Sequence, residues 1–170
     1  MSSPLLLARA YEADCAERFV EAGNLYWRAF EAGEPFDVPT TLRALFIFFD
    51  STDPGVGPGN GLSNDEMDAA RQRFHVMLDR LRALGHEDDA EVWRNWIGQL
   101  GMDWEYELPS DAMEQFVLRG SREAAWRLAA DGDRSGAVVD LASSLRAELA
   151  GETTFRAAYI LHMLRKLPVN

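Results

Sequence analysis

The chain has 170 residues, close to the size of one ordinary domain, and at that length folding can bury roughly 70% of the unfolded surface in one core. Its hydrophobic fraction of 47% and charged fraction of 26% exclude a disordered or membrane-embedded composition. Seventeen basic residues against 28 acidic ones give a net charge of -11, which speaks against direct binding to a nucleic-acid backbone or to anionic membranes and favours basic partners.

Cys15 is the only cysteine, so no intrachain disulfide and no cysteine-rich metal site can form. The first residues, MSSPLLLARAYEAD, lack a basic start and meet acids at once, so they do not read as a signal peptide. The apolar runs at 44–49 and 157–163 are far shorter than the roughly 18 residues of a membrane span. The expected location is cytoplasmic. Lys166 is the only lysine, and this bias toward arginine is typical of a GC-rich bacterial genome.

In chain order, the spacing of Leu7, Tyr11, Cys15 and Phe19 predicts an amphipathic helix over 5–22, and a second piece follows over 24–32. Thr40 or Thr41 is expected to cap a segment containing LRALFIFF, apolar on every side and read as a buried helix. The glycine- and proline-rich stretch at 50–63 is expected to be a long loop. It lacks the lysine of a phosphate loop and the closing glutamate of a calcium loop.

Ser63 and Glu66 form a capping box for a helix that should end at Gly85. Met67, Ala70, Phe74, Met77, Leu81 and Leu84 step as a heptad seam, and so do Ala90, Trp93, Ile97 and Leu100 in the next helix. The short connection predicts a helical hairpin in which the two seams face each other. Beyond Gly101, Met102, Trp104, Tyr106 and Leu108 alternate with Asp103, Glu105 and Glu107, so one short extended segment near 102–108 would turn its carboxylates outward about 7 Å apart. Ser110 and Ser121 are expected to cap two further helices, DGDRSG at 131–136 a turn, and two more helices complete the chain. The expected architecture is all-α, a single domain of antiparallel helix hairpins over 1–170.

Catalytic signatures are thin. His75, His86 and His162 lack glutamates at ligand spacing, and there is no Gly-x-Ser-x-Gly elbow. The best carboxylate set for magnesium is Glu87, Asp88, Asp89 and Glu91, although acids at a helix start are common for dipole reasons alone. The residues that could form an interface are Trp96 and Trp104 as aromatic anchors with Glu87, Asp88, Asp89, Asp103, Glu105 and Glu107 around them. Trp93 lies on the seam, and burying a tryptophan removes about 200 Å² from water, so it belongs to the core.

The stretch LRALGHEDDAEVW at 81–93 resembles an alanine-rich hairpin in a helical bacterial family that includes a DNA-mimicking protein. That family's Asn-Gly-Gly-Phe signature is missing, the chain having Gly59-Asn60-Gly61-Leu62, and nothing is carried over from it.

The leading expectation is a non-enzymatic acidic protein that binds and neutralises a basic protein partner, as an immunity protein, an antitoxin or a nucleic-acid mimic does. No cofactor or metal is expected on that reading. The alternatives are a small helical magnesium-dependent hydrolase using Glu87 to Glu91, and a homo-oligomeric subunit, such as a homodimer, joined through an unsatisfied seam. The plain alternative for the acid row is a solvated face with no partner.

Overall fold

A computed structural model describes residues 5–53, 57–99 and 108–167. Among them the chain is all helical, with nine α-helices and no strand. No helix among these residues is long and apolar enough to cross a membrane. The expected extended segment at 102–108 falls outside the described residues except for Leu108. The contacts gather into two compact units, residues 1–84 with 153–156, and residues 85–152 with 157–170.

The first unit begins with α1 (Leu6–Cys15) and α2 (Phe19–Glu31). A single helix over 5–22 is not what forms: the chain turns at Ala16–Arg18, where Glu17 takes a left-handed φ of 59°. That turn lets α1 fold back on α2. The buried face of α1 is Ala10, Ala13 and Asp14, while Tyr11 is exposed and carries the Arg43 guanidinium 5.0 Å above its ring.

Helix α3 (Val38–Thr52) supplies the core, with Leu42, Leu45, Phe46, Ile47, Phe48 and Phe49 all buried. It is apolar all round because it is packed on several sides, by α2 and by α4 (Asn64–Ala83). Its cap is Asp37, which accepts the Thr40 N–H at 2.9 Å, and neither threonine serves; Pro39 fits the first turn, where no N–H is needed. Helix α3 also runs through Thr52, so the loop starts later than Asp50. Ser51 and Thr52 donate their hydroxyls to the carbonyls of Ile47 and Phe49, which closes the last turns. Gly23 on α2 makes the approach to α3 possible, since a Cβ there would sit 3.1 Å from Ile47 Cγ2.

The Ser63–Glu66 capping box forms as expected, with Ser63 N–H donating to Glu66 at 2.8 Å, and Gly85 takes a φ of 81° past the end of α4. The seam of α4 buries Ala70, Phe74, Met77 and Leu81, and its main partner within this unit is α3. Phe49 and Phe74 meet there with centroids 6.0 Å apart.

Two helix starts in this unit are capped from far along the chain. Glu34 accepts the N–H groups of Leu6 and Leu7 at 2.8 and 3.0 Å, supplying the side-chain cap that α1 lacks locally. Asp14, 1% exposed, accepts the Phe155 N–H at 2.8 Å and the Tyr26 hydroxyl at 3.3 Å. Burial, with the neighbouring carboxylate second, holds the Tyr26 phenol well above its ordinary range. The Phe155 ring stacks among Phe19 and Phe46 at 4.5 and 5.1 Å.

At the end of α3, burial first and Asp53 second push the Asp50 carboxyl up to about 6. Its folded value lies above its unfolded one, so its contribution to stability is complete below about pH 4 and is lost as the pH rises through about 6. Asp50→Asn is expected to stabilise the protein at pH 7.5 by about 1 kcal/mol, once solvent screening of a partly exposed group is allowed for. The gain should vanish at pH 4, which thermal melts at the two values check.

The second unit contains α5 (Glu87–Gln99), α6 (Ala112–Leu118), α7 (Arg122–Ala130), α8 (Gly136–Leu149) and the greater part of α9 (Phe155–Met163). Ser121 caps α7 as expected, accepting the Ala124 N–H at 3.1 Å. Ser110 does not cap α6, which begins after Asp111 without a side-chain cap. Helix α7 is the hub, packing on α8, α6 and α5, and the seam residues Ala90, Trp93 and Ile97 of α5 are buried within this unit.

Candidate functional site

All the interface residues expected from sequence fall in the second unit, and the described ones lie on α5. Asp103, Trp104, Glu105 and Glu107 are outside the described residues. The acids of the first turn of α5 divide by role. Asp88 receives both ends of the Arg119 guanidinium at 2.7 Å, a bidentate pair from the turn after α6, and this holds the Arg119 proton more tightly. Asp89, 8% exposed, accepts the Ser121 hydroxyl at 2.6 Å and faces His86 Nδ1 at 2.9 Å. Since Ser121 caps α7, Asp89 ties the start of one helix to the start of another. Glu87 is exposed and makes no ion pair with a described residue. Asp88 and Asp89 thus act as fasteners, and among the described residues no three acidic, histidine or cysteine side chains converge as a cation site.

Behind this start lies an aromatic cluster. Trp93 is fully buried, as its seam position predicts, and Trp126 is 1% exposed. Their indole N–H groups donate to the same Oε2 of Glu123, at 3.1 and 2.9 Å, and Glu123 is itself 1% exposed. One carboxylate therefore satisfies two buried indoles, the condition on which tryptophan can be buried without a lost hydrogen bond.

Trp96 is half-buried. Its ring centroid lies 5.1 Å from Trp93, 5.6 Å from Trp126 and 6.3 Å from Tyr159. The Arg127 guanidinium covers it at 3.8 Å, and burial pulls the proton affinity of that guanidinium down, with Asp131 partly opposing.

Sequence reasoning missed Glu123, Arg127, Arg119 and Tyr159 as members of this region. A signal for Glu123 was present in its position one turn before Trp126, where an acid can reach the next turn's indole. Trp96, Arg127 and Tyr159 come from three separate helices, a juxtaposition that no local spacing encodes.

No protein-family model matches the chain, and no match was found among the curated proteins or the solved structures.

Proposed function

We propose that the protein is a cytoplasmic, non-enzymatic binder that neutralises a basic protein partner, in the manner of an immunity protein, an antitoxin or a nucleic-acid mimic. The observation that carries this reading is the charge of -11, to which the second unit contributes the larger share. Glu87, exposed and without an ion pair among the described residues, adds to the alternating acids Asp103, Glu105 and Glu107 as contact charges. Asp88 and Asp89 hold the helix start in place, and Trp96 and Trp104 are the aromatic anchors of the proposed contact. An acidic face of this kind steers a basic partner electrostatically, which makes association fast and strongly salt-dependent.

A pull-down from lysate at low and high salt tests the reading. Basic proteins should be retained at low salt and released at high salt, and retention of nothing basic at low salt removes the proposal. With a partner in hand, the combined replacement of Asp103, Glu105 and Glu107 by lysine should weaken binding by at least about tenfold. The control reverses Asp65, Asp68 and Asp79, exposed acids of α4. If the control weakens binding equally, bulk charge accounts for the association and the acid row does not.

A further inference from the structure

In the first unit α2 and α4 both pack on α3, and a cleft of about 430 Å³, counting the part open to solvent, lies between them. Phe48 and Ser51 of α3 form its floor. Its walls are small, with Gly23 on α2 facing Ala69 and Ala70 on α4, which is why the space is left open. Two charged side chains of α4 line it, Glu66 and Arg73. They are seven residues apart, which on a helix is two turns along one face and about 10 Å of rise.

The Glu66 end offers acceptors. Ser63 donates its N–H and its hydroxyl to Glu66 Oε2, each at 2.8 Å, which holds the Glu66 carboxyl below its ordinary range and leaves Oε1 without a partner among the described residues. Ser51 lies by the start of α4, where a Cβ on Gly57 would meet both its carbonyl oxygen and Met67. Its hydroxyl proton is committed to the Ile47 carbonyl at 2.8 Å, so the Ser51 oxygen can only accept. The Arg73 end offers donors. The Arg73 Nη1 donates to Asn24 Oδ1 at 3.1 Å, the guanidinium rests 5.3 Å from the Trp27 ring, and among the described residues it makes no other hydrogen bond or ion pair. Asn24 adds the N–H donors of its amide beside it.

Acceptors at one end, donors at the other and apolar surface between them select a molecule with an ammonium and a carboxylate at opposite ends of an apolar chain. Such a zwitterion has no net charge, so a protein of charge -11 does not repel it as it repels a simple carboxylate. An α-amino acid is too short, because its two charged groups share one carbon. An extended chain advances roughly 3.5 Å per three bonds, so about five methylenes set the charges about 7 Å apart, within the span from Glu66 to Arg73.

We propose that the cleft between α2 and α4 binds a linear ω-amino carboxylate, with its ammonium on Glu66 and Ser51 and its carboxylate on Arg73 and Asn24. The site is independent of the protein partner proposed above, since its residues belong to the first unit and that contact belongs to the second.

The test is an NMR titration of the whole 15N-labelled chain with 6-aminohexanoate at constant ionic strength, with hexanoate, hexylamine and glycine as comparisons. The Arg73 Nε–Hε resonance, assigned by its loss in R73Q, should move to saturation with a dissociation constant of about millimolar order. Each comparison compound lacks one charge or the chain and should bind at least about tenfold more weakly. E66Q keeps the capping box, which glutamine also closes, and removes only the charge. Followed by the backbone amides of Gly23 and Ala69, E66Q and R73Q should each weaken 6-aminohexanoate at least about tenfold, and A69L, which fills the cleft from a half-buried position, should abolish its binding. R73K provides the assignment if R73Q does not fold. A shift that rises without saturating, or binding undiminished in A69L, overturns the site. Hexanoate or hexylamine bound as tightly as 6-aminohexanoate, or 6-aminohexanoate binding undiminished in E66Q or R73Q, overturns the zwitterion. Tighter binding of dialanine than of 6-aminohexanoate overturns the methylene chain.

Discussion

Replacing Glu123 by alanine is expected to destabilise the protein by about 4 kcal/mol, one of the largest effects available from a single side chain. The residue is 1% exposed and its Oε2 receives the indole N–H of both Trp93 and Trp126. Truncation strands two buried donors, each costing about 1–3 kcal/mol, and leaves a cavity between large rings. Glu123→Gln keeps a carbonyl oxygen at the same reach and should cost about 1 kcal/mol, because a neutral acceptor binds each indole less strongly than a carboxylate. Urea melts measure both variants, and near-ultraviolet circular dichroism should lose tryptophan intensity in the alanine variant alone. Equal losses in the two would show that charge, and not the shared acceptor, is what the site requires.

Asp14→Ala should cost about 3 kcal/mol. Its carboxylate is buried between the Tyr26 hydroxyl and the Phe155 N–H, so truncation removes a helix cap and leaves a buried phenol without that acceptor. Asp14→Asn retains an oxygen for the Phe155 N–H and should recover about half of the loss. Amide hydrogen exchange at Phe155 separates the cap from the phenol: it should accelerate in Asp14→Ala and change little in Tyr26→Phe, which removes the hydroxyl and leaves the carboxylate in place. Unchanged exchange at Phe155 in Asp14→Ala would contradict the capping role.

What the sequence makes legible is local. The Ser63–Glu66 box, the Ser121 cap and the left-handed Gly85 depend on residues within one helical turn, and the burial of Trp93 was legible from spacing along one helix. The all-helical class follows from the same periodicities. The choice between Asp37 and Thr40 as a cap is lost at the same scale, because both residue types accept from an amide and only the position of Pro39 favours the earlier start. Pairing of seams is a different matter. The heptad of α4 says that it packs on a helix without saying which, and within its unit the partner is α3, whose Leu45, Phe46 and Phe49 are buried. The candidate site divides in the same way. Glu87, Asp88 and Asp89 were legible as acids at a helix start, whereas their separate roles depend on Arg119 and Ser121, about thirty residues further on.

The Asp14–Phe155 contact also has a temporal side. The first unit is made of residues 1–84 and 153–156, so it needs four residues synthesised after the intervening 85–152. Until they leave the ribosome, the Asp14 carboxylate lacks its amide partner and the rings of Phe19 and Phe46 lack Phe155. Vectorial synthesis ordinarily lets an N-terminal unit fold first. Here residues 1–84 gain their last four partners only after 85–152 have been made, and a nascent chain stalled before Thr153 would leave Phe19 and Phe46 without the ring that packs on both.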